Sequence, residues 1–206
     1  MGDFFSLDGP FNKFGNILAD IMILGLIWFV CCLPVVTAGA STTALFYVMT
    51  RRISNREGYI LKDFFGSFKA NFKVATLVWL TVLAVGLILF FNVQNSAVMG
   101  ALAVYFVPVQ WAVFIGLCFT AIYAFPLLSR FTMGYRALFK TAFFLAYRHF
   151  LTTVVCMLMV LAILFAAATV FPPLFLVGAG IYAYVSSYLF VRVFRKYRPD
   201  LDKDAE

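Results

Sequence analysis

VATLVWLTVLAVGLILFFN, residues Val74–Asn92, carries no charged side chain along its whole length. A helix rising 1.5 Å per residue needs about 20 apolar residues to cross the roughly 30 Å hydrocarbon layer of a bilayer, and this stretch has that length. Three comparable runs follow it, Ala97–Leu128, Leu151–Phe171 and Leu174–Val191. Only structures that satisfy their own backbone hydrogen bonds cross lipid, so runs of this length read as helices. The expected fold class is all-α: a polytopic transmembrane helix bundle.

Composition points the same way. The chain is 64% hydrophobic and 12% charged, with a mean hydropathy of +0.97. That leaves too little polar material for the outer shell of a water-soluble domain of 206 residues. The many aromatics (Phe 26, Tyr 10, Trp 3) suit interfacial belts and bundle packing. A net charge of +7 does not imply nucleic acid here. The cations sit in short segments flanking the runs, where orientation and anionic lipid headgroups explain them, and no nucleic-acid recognition motif occurs. Cys31, Cys32, Cys118 and Cys156 all lie in apolar stretches without disulfide or metal-ligand spacing, and His149 is the lone histidine, so no cofactor or metal is expected. The N-terminus lacks a basic n-region and a small-residue cleavage site, and Gly2 with Ser6 matches a myristoylation pattern only weakly.

Outward from Val74 the chain reads as a single membrane domain over 1–206. Residues 1–16, broken by Gly9-Pro10, mix Phe4, Phe5, Leu7, Phe11 and Phe14 with polar side chains and read as an interfacial segment. Residues 17–52 form an apolar run interrupted at Pro34 and Gly39. Proline removes a helical hydrogen bond and glycine permits a turn, so a helix hairpin with a short second arm is expected; one long broken span is the alternative. Residues 53–128 then read as an amphipathic helix plus a transmembrane hairpin. Residues 129–206 read as a second amphipathic helix, a second hairpin and a basic tail. Ile60, Leu61, Phe64, Phe65, Phe68 and Phe72 recur at helical spacing among cations, as do Leu138, Phe139, Phe143, Phe144 and Tyr147. Gly58-Tyr59 before Phe64-Phe65-x-x-Phe68-Lys69 parallels Gly134-Tyr135 before Phe143-Phe144-x-x-Tyr147-Arg148, which suggests a parallel repeat.

The two basic segments and the C-terminal tail hold nearly all the Lys and Arg, whereas Asn92–Ser96 and Pro172-Pro173 hold none. The positive-inside rule places the basic segments and the C-terminus in the cytoplasm. Six membrane helices with two amphipathic cytoplasmic connectors follow from the hairpin reading, and five membrane helices from the broken-span reading.

Asp20 is the only acid within an apolar run. Such carboxylates mark ion or substrate pathways, or else cap a helix or meet a cation near the interface, here Lys13 or a connector Arg. Pro34, Thr37, Gly39 and Ser41 form the break, either as a tight turn or as a binding site of the kind transporters build from broken helices. Pro108 should kink its run, Gln110 should hydrogen-bond to a neighbouring helix, and Pro126 reads as helix termination. Arg51, Arg52, Arg56, Lys62, Lys69, Arg136, Lys140 and Arg148 are candidate contacts for membrane lipids or a partner. No Ser/His/Asp or Cys/His constellation, phosphate loop or acidic metal cluster occurs, so an enzyme is not expected, and neither is a nucleotide-driven pump in this chain alone.

Phe4-Phe5-x-Leu-Asp-Gly-Pro-Phe11, Leu33-Pro-Val-Val-Thr-Ala-Gly-Ala-Ser-Thr-Thr-Ala-Leu45, and Glu57-Gly-Tyr59 with Phe64-Phe65-x-x-Phe68-Lys-x-Asn-Phe72 resemble the YesL family. These are small bacterial membrane proteins of unknown function, found mainly in Gram-positive bacteria. Their members are often encoded beside carbohydrate-uptake and polysaccharide-degradation genes. The resemblance implies a bacterial cell-membrane location and an accessory or regulatory role beside sugar ABC importer subunits; it supplies no catalytic residues. Two other functions compete on the residues alone. One is a small autonomous transporter or channel, acting alone or as a homo-oligomer, built around Asp20, Gln110 and the Pro34–Gly39 break. The other is a structural, lipid-binding membrane protein.

Overall fold

The computed structural model describes residues 10–54, 59–95, 103–169 and 174–197. These form seven α-helices and, among the described residues, no strand: α1 (Pro10–Cys32), α2 (Ala38–Ile53), α3 (Ile60–Gln94), α4 (Ala103–Arg130), α5 (Tyr135–Arg148), α6 (Phe150–Thr169) and α7 (Leu174–Arg195). Five stretches are long and apolar enough to cross a bilayer: Gly15–Cys32, Ile60–Gln94, Ala103–Arg130, Phe150–Thr169 and Phe175–Arg195. The protein is an all-α, multi-pass bundle. Of the segment 1–16, residues 1–9 lie outside the described residues, and Pro10 onward belongs to α1.

Helices α1 and α2 make an antiparallel hairpin. The Ser41 hydroxyl donates to the Trp28 carbonyl at 3.0 Å and Trp28 Nε1 donates to Thr42 Oγ1 at 3.1 Å near the turn. At the other end Arg52 meets Asp20. With 16 residues, α2 is about 24 Å long and is the short arm. It is also the centre of the bundle, packed by α1, α3, α4 and α7. Ala40, Ala44, Leu45, Phe46 and Met49 are buried on all its sides, and the Phe46 ring sits edge-on to Tyr182 and Phe190 of α7, 6.0 Å from each.

The first connector is not a separate helix. Residues expected as an amphipathic surface segment and the first long run are joined in α3, one helix of 35 residues. No glycine or proline interrupts Lys69–Val78, so nothing in the local sequence stops the helix where polarity changes. The second connector is separate: α5 ends at Arg148, His149 leaves the helical region (φ −110, ψ 49), and α6 starts at Phe150. The Thr153 hydroxyl bridges the break, donating to the Ala146 carbonyl at 2.7 Å. Tyr135 to Thr169 is nonetheless as long as α3. Laying Ile60 on Tyr135 brings Phe64, Phe68, Phe72 and Lys73 onto Phe139, Phe143, Tyr147 and Arg148, a cleaner register than the paired phenylalanines suggest. Each stretch packs against the helix before it, α3 on α2 and α5 on α4.

Pro126 does not end its helix. Both Pro108 and Pro126 lie inside α4, which continues to Arg130. Past Pro126 the ladder still closes from Phe131 N to Leu127 O at 2.9 Å, and Ser129 Oγ donates to the Pro126 carbonyl at 2.7 Å.

Helices α1 and α7 cross at reciprocal glycines. A Cβ on Gly25 would collide with the Leu176 carbonyl oxygen, and one on Gly180 would lie 2.6 Å from the Ile21 carbonyl oxygen. Small residues that let backbones touch are how helices associate in lipid, where burying apolar surface gives no drive. The crossing, the Arg52–Asp20 contact and a 3.4 Å hydrogen bond from Thr50 Oγ1 to Ser187 Oγ set the start of α1, the end of α2 and the end of α7 at one end of the bundle. The outer faces carry large exposed apolar side chains, among them Ile88, Phe91, Val104, Val109, Leu158 and Phe165. Hydrocarbon, not water, suits such a surface.

Candidate functional site

Arg51 and Arg52 close α2. Consecutive helical residues point about 100° apart, so the two guanidinium groups reach different neighbours. Arg52 Nη2 lies 2.7 Å from Asp20 Oδ2 on α1, and Arg51 Nη1 donates to Asp63 Oδ1 on α3 at 2.9 Å. The Asp20 side chain is 13% exposed and that of Arg52 38%. The Arg51 guanidinium also covers the Tyr47 ring at 5.9 Å. Two arginines in the last turn oppose the negative end of the α2 dipole as well. The result is a double ion pair fastening three helices at one level.

Between these groups lies a cavity of about 20 Å³, lined by Asp20, Leu24, Val48, Met49, Arg51, Arg52, Ile60 and Asp63. That is room for a single water. Asp20 Oδ2 touches Arg52 as an ion pair without an aligned hydrogen bond, and Arg51 Nε has no hydrogen-bond partner among the described residues. One water could serve both atoms; a sugar could not enter.

The Pro34–Thr43 break is closed on itself. Leu33 and Pro34 bend, Val35–Thr37 make a 3₁₀ turn, and the Thr37 hydroxyl reaches both the Cys31 carbonyl and, at 2.7 Å, the Pro34 carbonyl. Trp79 Nε1 on α3 donates to the Val35 carbonyl at 2.7 Å. The Thr43 hydroxyl returns to the Gly39 carbonyl at 2.9 Å. Gly39 is where α2 meets α3: an added Cβ would lie 2.5 Å from the Ala75 carbonyl oxygen and 2.7 Å from Trp79 Cβ. The polar groups of the break are thus largely used in holding α1, α2 and α3 together.

Gln110 stands apart from both places. It is half-buried on α4, and its Oε1 is enclosed without a hydrogen-bond partner among the described residues. Arg56 lies outside the described residues. Lys62 and Lys69 on α3, and Arg136 and Lys140 on α5, are exposed, and among the described residues none has a carboxylate partner. Arg148 packs over Phe144 and Tyr197, 5.6 Å and 5.3 Å from the ring centres. His149, beside it, has its pKa lowered by burial first, then by Lys196 and Arg148. Among the described residues no group of three His, Cys, Asp or Glu could hold a metal.

Residues 21–93 match a family described as a protein of unknown function, DUF624. The matched stretch runs from within α1 almost to the end of α3, so it contains the break and both ion pairs except Asp20 itself. No curated protein and no solved structure matches the chain.

Sequence reasoning anticipated a connector Arg as one partner for Asp20. Asp63 and Trp79 were missed. Asp63 lies in an amphipathic segment and Trp79 within a long apolar run. Nothing local distinguishes either, because both partners, Arg51 and Val35, lie on other elements.

Proposed function

We propose that the chain is a non-catalytic accessory or regulatory subunit of a bacterial carbohydrate-uptake system in the cell membrane, with its basic end in the cytoplasm. The observation that supports an accessory over a transporting role is the state of Asp20. A transporter built on this acid needs it to face a solute-sized space, and here it faces Arg52 and room for one water. The break that would expose backbone at membrane depth is tied to Trp79, Ser41 and Thr37 instead. The resemblance of the Leu33–Leu45 and Glu57–Phe72 stretches to the YesL family supports the link to sugar import. Positive-inside asymmetry supports the orientation.

Affinity purification of the tagged protein from its own membranes in mild detergent, with mass spectrometry of what accompanies it, tests the reading. Stoichiometric importer permease or ATPase subunits are expected. Recovery of this chain alone, with solute uptake by the purified protein in liposomes, would transfer the role to an autonomous transporter.

A further inference from the structure

We propose that Arg148, His149, Lys196 and Tyr197 form a site for the phosphate headgroup of an anionic phospholipid, where the α5–α6 break meets the end of α7. The inference does not depend on the importer reading.

The break creates the site. In α3 the helix passes Lys73 without interruption, whereas at the corresponding Arg148 the chain turns and places the next residue against α7. His149 Nε2 and the Tyr197 hydroxyl are 3.0 Å apart, with the rings edge-to-face. Arg148 lies over the faces of Phe144 and Tyr197. Aromatic rings against a guanidinium plane leave its N–H edge free, and that edge matches phosphate oxygens in pairs.

Charge supplies the second argument. Among the described side chains the only acids are Asp20 and Asp63, and both are held by arginines of α2. The groups facing His149 are Arg148 from α5, and Lys196 and Tyr197 from the end of α7; the two cations both act against its protonation. Among the described residues no carboxylate faces this cluster, and an anion from outside complements its charge.

The surroundings decide which anion. Phe143, Phe144, Tyr147, Phe150 and Leu151 beside the cluster are all exposed, Leu151 at 78%. Free phosphate gains nothing from an apolar skirt. A lipid places its phosphate at the cations and its acyl chains along these side chains.

The test uses the full-length protein in nanodiscs of phosphatidylcholine with and without phosphatidylglycerol, and native mass spectrometry to count the lipids retained. Wild type is expected to retain phosphatidylglycerol in preference to phosphatidylcholine, more strongly as pH falls and His149 charges. Arg148→Gln with Lys196→Gln should weaken that preference about 30-fold, from two cations lost at a membrane surface. Arg148→Lys keeps the charge and should still weaken it, because the fork is gone. Lys62→Gln with Lys69→Gln removes the same charge from another helix and should weaken it by less than the Arg148 and Lys196 pair does. Equal retention by wild type and the Arg148/Lys196 double variant would overturn the proposal. So would displacement of the lipid by millimolar inorganic phosphate, which would make the site one for a free anion. Circular dichroism and a monodisperse gel-filtration peak identify variants that fold.

Discussion

Asp20→Asn keeps the shape of the side chain and removes its charge. Arg52 then faces a neutral amide across 2.7 Å, while Arg51 keeps its pairing with Asp63. Removing one partner of a fully buried pair costs about 3–5 kcal/mol, and an exposed pair is worth about 0–1 kcal/mol. Asp20 is nearly enclosed but Arg52 is a third exposed, so water screens the arginine once it is released. An intermediate loss of about 1–2 kcal/mol is expected. The assay is a double-mutant cycle, with Asp20→Asn, Arg52→Gln and both together unfolded reversibly in mixed micelles. The expected coupling is of the same size, about 1–2 kcal/mol, and the exchange Asp20→Arg with Arg52→Asp should recover part of the stability. A coupling near zero would refute the claim that this ion pair fastens α1 to α2. Full stability of Asp20→Asn together with lost activity in cells would show that the carboxylate serves something other than Arg52.

Other substitutions probe other joints. Gly25→Val or Gly180→Val should each cost about 1–3 kcal/mol by forcing α1 and α7 apart, read in the same unfolding assay. Trp79→Phe removes the hydrogen bond to the Val35 carbonyl while keeping an aromatic ring, and about 1 kcal/mol should be lost. Lys73→Pro should cost about 3 kcal/mol or more if α3 is continuous there, and almost nothing if a connector ends at that point. Because the folded state lowers the pKa of His149, the unfolded chain binds the proton more readily; stability in neutral-lipid micelles should therefore fall as pH drops below about 6.5, and His149→Gln should remove that dependence.

The membrane helices were legible because hydropathy over about 20 residues is a summed property that no single contact overrides. Helix α2 was legible as a short arm, since Pro34 and Gly39 mark its beginning and Arg51-Arg52 its end. The difference between α3 and the α5–α6 pair was not. Both carry phenylalanines and cations at helical spacing, and neither Lys73-Val74 nor Arg148-His149 contains a helix breaker. What holds the second break is tertiary: Thr153 on the Ala146 carbonyl and Tyr197 on His149. Pro126 misled for the opposite reason. Its local penalty is real, but the helix continues to Arg130, and Phe131 just beyond its end packs against Phe194 of α7. The ion pairs join residues on different helices, so sequence pattern reveals the charges and not the pairing.

The glycine crossing of α1 and α7 has a consequence for biosynthesis. Helix α1 packs closely on α7, which comes much later in the chain, so Gly25 and Ile21 lack this partner until Leu174–Arg195 has been made. The hairpin with α2 and the Arg52–Asp20 contact are formed from early segments and hold α1 in place during that wait. Docking of α7 on α1 is then a late event, and a chain cut short before Leu174 leaves the Gly25 face of α1 uncovered.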